Sequence, residues 1–312
     1  MIAPGAATQN AEVMTKAKEV QGRSLWVDAR QRLFRNRAAL ASMIVLGLIA
    51  LMALFVPLFW PYAYDVPDYG LVSCAPDWWP EQDVLCRSGG WHIFGMDANG
   101  RDLFVRVLYG ARISLAVGLT ATLVSLLIGV AYGAVSGFIG GRLDEFMMRF
   151  VDVLYSLPFI FFVIILMVVF QQNFILLFVA IGAVEWLTMA RIVRGQTLSL
   201  KQKEFIEAAR AAGVGTFGII RSHIVPNVVG PVIVYVTLTI PTVILSESFL
   251  SFLGLGIREP LTSWGVLIKD GADQMESAPW TLFFPAAFMA ITLFCFNFIG
   301  DGLRDALDPK DR

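Results

Sequence analysis

The fold of this chain is decided by the stretch Glu207-Ala208-Ala209-Arg210-Ala211-Ala212-Gly213, followed by Ile219-Ile220-Arg221-Ser222-His223-Ile224-Val225-Pro226-Asn227. This region has polar edges, whereas the segments on both sides of it are strongly apolar. We therefore expect a water-facing helix-turn-helix between two membrane spans. The rest of the sequence must then support a membrane protein.

Composition supports that expectation. Hydrophobic residues make up 57% of the 312 residues and charged residues 16%, and the mean hydropathy is +0.67. Six apolar runs are long enough to cross a hydrocarbon core of about 30 Å, which takes roughly 20 helical residues. They are residues 39–60, 113–139, 150–170, 174–192, 228–253 and 280–299. Because a span in lipid must satisfy its own backbone hydrogen bonds, we predict an all-α membrane protein with six transmembrane helices.

Basic residues favour the cytoplasmic side of short loops, and this orients the spans. With both termini in the cytoplasm, six of the 24 Lys and Arg residues lie on the other side: Arg87, Arg101, Arg106, Arg112, Arg258 and Lys269. Residues 1–38 then form a cytoplasmic tail with an interfacial helix over 24–34, and 39–60 form the first span. A periplasmic loop covers 61–112, and 113–312 form a core of five spans with a cytoplasmic coupling loop at 195–227. A solvated helix is the alternative for 24–34, and disorder is expected before Gly22.

The predicted periplasmic loop contains two cysteines, Cys74 and Cys86, on the side where the bacterial periplasm is oxidising. A disulfide is the hypothesis, and two free thiols are the alternative. A metal site with His92 as a third ligand is disfavoured because no short Cys-x-x-Cys pair accompanies it. Residues 97–102 favour a tight turn over a calcium loop, because Arg101 occupies the third ligand position.

The sequence lacks the residues that several kinds of catalytic and binding site require. The histidines are His92 and His223, both outside the predicted spans, so the apparatus of an intramembrane protease is missing. The Gly-x-x-x-x-Gly-Lys-Ser/Thr phosphate loop is also missing, so ATP would be bound by a different polypeptide. We expect no metal or other cofactor on this chain. A net charge of −1 argues against a nucleic-acid partner.

The coupling loop predicts a short helix formed by Glu204, Phe205, Glu207, Ala208, Ala209, Arg210 and Ala212. Acidic residues begin this helix and a basic residue lies near its end, as the helix dipole prefers. Spacings of three and four residues place one large and three small side chains in a stripe that fits a groove on a partner: Phe205, Ala208, Ala209 and Ala212. Gly213 can end the helix, and a second helix beginning near Phe217 would lead to Pro226 at the start of the fifth span. An ordinary amphipathic connector is the alternative.

Two acids lie within or near predicted spans, Glu185 and Glu247. Charge is costly in hydrocarbon, which suggests a role for each. Glu247, between Ser246 and Ser248, could line a translocation path or bind a partner helix. The alternative is an acid hydrogen-bonded within the helix bundle. Glu185 has no basic residue nearby in its own span.

The spacing Glu-Ala-Ala, three residues, Gly, and then twelve residues to Pro226 resembles the coupling loop of permease subunits in bacterial ATP-binding-cassette importers. Residues 191–196, 246–256 and 300–310 narrow the resemblance to the C-type inner-membrane permease subunits of the oligopeptide and dipeptide importers. Together the similar stretches cover most of residues 24–312. The resemblance implies the six-span type I importer architecture and a place in the bacterial inner membrane.

The resemblance also implies a complex. Its other members would be a second permease subunit of similar topology, two cytoplasmic ATPases that hold ATP and Mg²⁺, and a periplasmic peptide-binding protein. This chain would be a transport subunit in membrane lipid and not an enzyme, and it would pass oligopeptides from periplasm to cytoplasm. Dipeptides or nickel are alternative substrates. A secondary transporter is a further alternative, although the sequence shows no internal duplication.

Overall fold

The computed structural model describes residues 25–80, 86, 90–169 and 174–307. Their regular secondary structure is helical, with an isolated antiparallel bridge between Met96 and Asp102. The helices are α1 (Leu25–Arg35), α2 (Arg37–Phe59), α3 (Leu103–Ile139), α4 (Gly141–Ser156), α5 (Phe159–Val169), α6 (Phe174–Leu200), α7 (Glu204–Ala211), α8 (Thr216–Ile219), α9 (Val225–Phe252), α10 (Trp264–Ala272) and α11 (Trp280–Leu307). A π-helical segment, Ile220–Ile224, joins α8 to α9. The disorder predicted before Gly22 falls outside the described residues.

Four helices in the described part of the chain are long and apolar enough to cross a membrane: Arg37–Phe59, Leu103–Ile139, Thr216–Phe252 and Trp280–Leu307. They contain the predicted first, second, fifth and sixth spans, except for Trp60 at the end of the first span and Leu253 at the end of the fifth. The fourth predicted span, 174–192, lies within the 27-residue helix α6. The helix predicted over residues 24–34 forms as α1, which packs against the C-terminal helix α11.

The third predicted span, 150–170, is not one continuous helix. It is divided between α4 and α5 at Leu157 and Pro158, and its last residue lies outside the described ranges. Leu157 has an extended backbone, with φ −77° and ψ 128°. This follows from the proline, which lacks an N–H and disfavours helical backbone in the residue before it.

The predicted loop 61–112 also ends earlier than expected, because α3 begins at Leu103. Asp102 caps this helix, and its side chain accepts a hydrogen bond from the Val105 N–H at 2.9 Å. A capped N-terminus of this kind stabilises the first turn of a helix. The first ten residues of α3 therefore extend beyond the predicted apolar run.

The centre of the molecule is the contact between α3 and α6, the most extensive helix pair in the fold. Gly129, Gly133 and Gly137 of α3 face α6 at four-residue intervals. A Cβ placed at Gly133 would overlap the backbone of Ala190 and Arg194. Small residues at this spacing let two helices approach closely.

The two ends of the bundle carry different structures. At one end, the described residues 60–80, 86 and 90–102, together with the segment 253–279 that contains α10, form a cap; an Arg101–Glu259 ion pair at 2.8 Å joins its two parts. Within the cap, Trp280 Nε1 donates to the Met96 carbonyl at 3.3 Å. At the other end lies the coupling loop, where Lys201 Nζ donates to the Ile139 carbonyl at 3.3 Å.

Candidate functional site

The coupling loop contains a short helix whose ends are set by charge and by a glycine. Glu204 and Glu207 lie in the first turn of α7 and Arg210 in its last turn. Gly213 follows with φ +81°. Its N–H donates to the Arg210 carbonyl at 2.9 Å, and the next N–H, of Val214, donates to the carbonyl five residues back at 3.0 Å. This pair of bonds is a Schellman motif, so both the predicted helix and its predicted stop are present.

One face of α7 is fixed to the helix bundle. Ile206 is 0% exposed and Ala209 is 8% exposed. They pack in one apolar cluster with Phe138 of α3, Ile219 of α8 and Ile224 of the π-helical segment. The prediction that Ala209 belongs to the partner-facing stripe is therefore wrong, because this side chain faces the bundle. The apolar pair Ile206 and Ala209, three residues apart, was the available signal in the sequence.

The other predicted residues of this helix are exposed: Glu204, Phe205, Glu207, Ala208, Arg210, Ala212 and Gly213. Phe205 is 41% exposed, and Phe217 at the start of the second helix is 74% exposed. Arg210 leans back toward the bundle, with its guanidinium carbon 5.1 Å from the centroid of the Phe138 ring. We call the outward set the docking face, comprising Glu204, Phe205, Glu207, Ala208, Ala212 and Phe217. It combines aromatic, small and acidic side chains, a combination suited to a protein partner.

The coupling loop continues directly into a membrane span. Residues Thr216–Phe252 form one continuous helical run that includes the π-helical segment. The second helix was predicted to begin near Phe217 and begins one residue earlier, and Pro226 lies in the first turn of α9. π-Helical turns within α-helices are frequent at functional sites. A displacement of the loop would therefore be carried along one helix into the membrane.

A partly buried ion pair joins three helices at this end of the bundle. Arg194 of α6 donates to both carboxylate oxygens of Asp144 of α4, each at 2.6 Å. Ser136 of α3 donates to the same carboxylate. These hydrogen bonds, those from Arg194 foremost, hold the pKa of Asp144 below its ordinary value. No local sequence pattern predicts this pair, because its two residues are 50 positions apart.

The predicted group Ser246, Glu247 and Ser248 lies about 30 Å along α9 from Pro226, at 1.5 Å per residue. Glu247 is 0% exposed and Ser248 is 8% exposed. Glu247 Oε1 accepts from Ser251 and from Ser263, the N-cap of α10, each at 2.7 Å. This geometry agrees with the alternative of an acid hydrogen-bonded within the bundle. The path role stays a prediction for all three residues, of which Ser246 is half-buried.

In the cap, Cys74 and Cys86 are joined as a disulfide, with their Cα atoms 5.5 Å apart. His92 is buried, and its Nδ1 lies 2.7 Å from Asp102 Oδ2. The His92 ring is therefore held by a carboxylate that also caps α3.

The turn predicted over residues 97–102 forms. Asp97 Oδ1 accepts from the backbone N–H groups of Asn99 and Arg101 at 2.8 and 2.9 Å. Its Oδ2 accepts from Arg101 Nε at 2.8 Å. Gly100 adopts φ +71°, which suits a tight turn. Both oxygens of Asp97 are thus occupied by donors of the protein itself.

Comparison with known proteins decides the family. Residues 107–312 match the family described as binding-protein-dependent transport system inner membrane component. The chain belongs to this family of inner-membrane transport components. Residues 24–76 match the N-terminal TM domain of oligopeptide transport permease C. Residues 77–106 separate the two matches, so α1 and α2 fall in one matched segment, and α3 from residue 107 onward and the later helices fall in the other.

Related proteins in this binding-protein-dependent transport family match nearly the whole chain. The oligopeptide transport system permease protein OppC of Escherichia coli strain K12 is 58% identical over 305 residues, covering 98% of both chains. OppC of Haemophilus influenzae is 56% identical over 294 residues, covering 94% of this chain and 91% of that one. The dipeptide transport system permease protein DppC of Bacillus subtilis strain 168 is 46% identical over 286 residues, covering 91% and 86%.

Proposed function

We propose that this chain is a permease subunit of an ATP-binding-cassette importer that moves oligopeptides from the periplasm to the cytoplasm. Its membership of an inner-membrane transport family supports a transport function. Relatives at 56% and 58% identity that are named for oligopeptide transport support the substrate class. The observation that carries the mechanism is α7, a helix fixed to the bundle by Ile206 and Ala209 while its docking face is exposed.

The proposed topology has six spans with both termini in the cytoplasm. The third span would consist of α5 and the last turns of α4, because α5 alone has only 11 residues. The fourth would be the first two thirds of α6. This arrangement places the coupling loop in the cytoplasm and the cap, with its disulfide, in the periplasm.

Coupling would work by transmission of force through packed side chains. Closure of cytoplasmic ATPases would push on the docking face, and α7 would pass the displacement through Ile206 to Phe138 and Ile224. To move a gate from 1:99 to 99:1, the coupling must supply roughly 5.5 kcal/mol of differential interaction. A buried contact to a continuous helix can transmit this, whereas a loose loop could not.

A second permease subunit would cover the exposed apolar side of α4. Leu143, Phe146, Phe150 and Val153 form this side and are 41%, 74%, 49% and 63% exposed. An ion pair between Arg149 and Glu145 lies on the same turns, with both side chains more than 60% exposed. Charges this exposed belong in water and not in hydrocarbon, so lipid does not cover these turns and the apolar side next to them is available to a protein.

The remaining partners follow from the two ends of the bundle. Two ATPases would bind the docking face and its counterpart on the second permease, and ATP and Mg²⁺ would be held by these ATPases. A periplasmic binding protein would deliver the peptide at the cap. No cofactor is assigned to this chain.

Uptake of labelled peptides of graded length, from dipeptides upward, tests the proposal. The assay uses cells that lack this subunit and the same cells complemented with it. We expect complementation to restore uptake of peptides longer than dipeptides. Restoration confined to dipeptides would favour the function named for the DppC relative, and no restoration of any peptide would overturn the proposal.

A further inference from the structure

A cavity of about 350 Å³ lies between α4, α5 and α6. On one side it is lined by Tyr155, Leu157 and Pro158, at the break between α4 and α5. On the other side it is lined by Glu185 and Thr188 of α6. The cavity therefore combines interrupted backbone with an ionisable side chain.

Both features lie near the middle of the membrane in the proposed topology. Glu185 lies two residues from the centre of the predicted span 174–192, which corresponds to about 3 Å of helix. Pro158 likewise lies two residues from the centre of the predicted span 150–170. Half of a hydrocarbon core is about 15 Å, so both residues lie well inside it.

Interrupted backbone at this depth restricts what can fill the cavity. Non-helical backbone within a membrane occurs only where protein covers it or where it lines a water-filled space. Leu157 is 52% exposed and Tyr155 is 53% exposed, so the cavity reaches the surface of this subunit. In the proposed topology this surface is therefore covered by a neighbouring subunit or lines a water-filled space, and lipid does not cover it.

The charge of Glu185 is not balanced within the described part of the chain, where no salt bridge to its carboxylate forms. The next basic residue along α6, Arg191, is already bonded to Asp152 at 2.7 Å. Its guanidinium carbon also lies 4.4 Å from the centroid of the Tyr155 ring. Tyr235 of α9 interacts electrostatically with Glu185 and with Tyr155.

We propose that this cavity is a binding site on the peptide path, in which the Glu185 carboxylate receives a positively charged ammonium group of the passing peptide. The inference rests on the proposed function and adds a chemical selectivity to it. The ammonium group has two sources, the N-terminus of the peptide or a lysine side chain. Thr188 and Tyr155 line the same space and offer hydroxyl groups to the peptide backbone.

The test uses the assembled transporter in proteoliposomes with its binding protein. Four tripeptides separate the sources: Ala-Lys-Ala, Ala-norleucine-Ala and the N-acetyl form of each. Uptake by Glu185→Gln is divided by wild-type uptake of the same peptide, so that preferences of the binding protein cancel. We expect about a tenfold or greater loss for the peptides that carry the recognised ammonium group, relative to N-acetyl-Ala-norleucine-Ala, which carries none.

The responses to the four peptides identify which ammonium group Glu185 recognises. A loss for Ala-norleucine-Ala assigns the N-terminus, and a loss for N-acetyl-Ala-Lys-Ala assigns the lysine side chain. Glu185→Asp should retain the discrimination, and Asp305→Asn, which removes an exposed carboxylate elsewhere, should not create it. Equal ratios for all four peptides would overturn the inference while leaving the proposed function intact. A wild-type transporter that moves no peptide would overturn both.

A second measurement does not depend on transport. In a Cys295→Ser background, Thr188→Cys should react with a charged, membrane-impermeant maleimide, and Ala-Lys-Ala should slow this reaction more than N-acetyl-Ala-norleucine-Ala does. Reaction with a lipid-soluble maleimide alone would show that the cavity faces lipid and would overturn the inference.

Discussion

Replacing Ile206 with alanine tests whether the packing of α7 transmits force. Ile206 is completely buried between α7 and the bundle. Truncation of a buried isoleucine to alanine costs about 2–5 kcal/mol. An isolated helix of eight residues is marginal in water, so α7 depends on this contact for its position. The loss is comparable with the roughly 5.5 kcal/mol needed to switch a gate, so a loosened α7 can undock before the gate moves.

The assay compares ATP hydrolysis and peptide uptake by the reconstituted complex. We expect Ile206→Ala to reduce uptake at least about tenfold while the ATPases stay bound and hydrolyse ATP, because the docking face is unchanged. Ile206→Val, which costs only about 0.5–1.5 kcal/mol, is the matched control and should stay close to wild-type uptake. Full uptake by a stably assembled Ile206→Ala complex would refute transmission through this side chain.

Three further predictions concern the supports of the site. Gly213→Val forces a branched side chain into a backbone with φ +81°, which costs about 1–2 kcal/mol, and should reduce uptake in the transport assay. Gly213→Asn should keep uptake, because asparagine tolerates this backbone conformation. Equal uptake by the two variants would contradict the prediction. Gly133→Ala places a Cβ against the backbone of α6 and should lower the unfolding temperature in detergent. Gly195→Ala is the control, because a Cβ there meets nothing within 4 Å, and it should leave the unfolding temperature unchanged. Equal unfolding temperatures for the two variants would contradict the close contact. Asp144→Asn should destabilise the subunit by about 1 kcal/mol at neutral pH, a value discounted because Arg194 is 34% exposed. The pKa of Asp144 is lowered in the folded state, so its carboxylate stabilises the fold above the unfolded pKa of about 3.9, and this stability is lost as the pH falls through the folded pKa. The free energy of unfolding in urea should therefore fall less steeply at acid pH for Asp144→Asn than for the wild type. The same acid dependence in both proteins would contradict the prediction.

Strong local patterns in the sequence predicted much of the fold. Uninterrupted apolar runs marked α2, α3, α9 and α11 as spans, because length and hydropathy alone decide whether a helix can cross a membrane. The end of α7 at Gly213 could also be predicted from the sequence, because glycine readily adopts the positive φ found at helix ends.

The break at Pro158 could not be predicted from the local sequence. Pro57, Pro231, Pro241 and Pro285 all lie inside helices of this fold, so a proline by itself does not locate a break. Neighbouring helices in a membrane bundle can satisfy the carbonyl groups that a proline frees. Whether a given proline interrupts a helix therefore depends on tertiary packing.

Contacts between distant segments explain the other differences. Ala209 had the spacing of the outward stripe but is buried, because the bundle that covers it is built from α3, the π-helical segment and α8. Glu247 finds its partner Ser263 in a different helix, 16 residues along the chain. No periodicity within one helix reports such pairs.

Site-directed crosslinking from α7 to the proposed ATPase subunits tests the central claim most directly. Ala208→Cys lies on the docking face, and Ala209→Cys, one residue away, faces the bundle. With a short thiol-reactive crosslinker and assembled complex, we predict a product that joins Ala208→Cys to a nucleotide-hydrolysing subunit and changes in yield when ATP is bound. Ala209→Cys should give no such product. Equal crosslinking from both positions, or none from Ala208→Cys, would contradict a force-transmitting helix with one face on the bundle and the other on the motor.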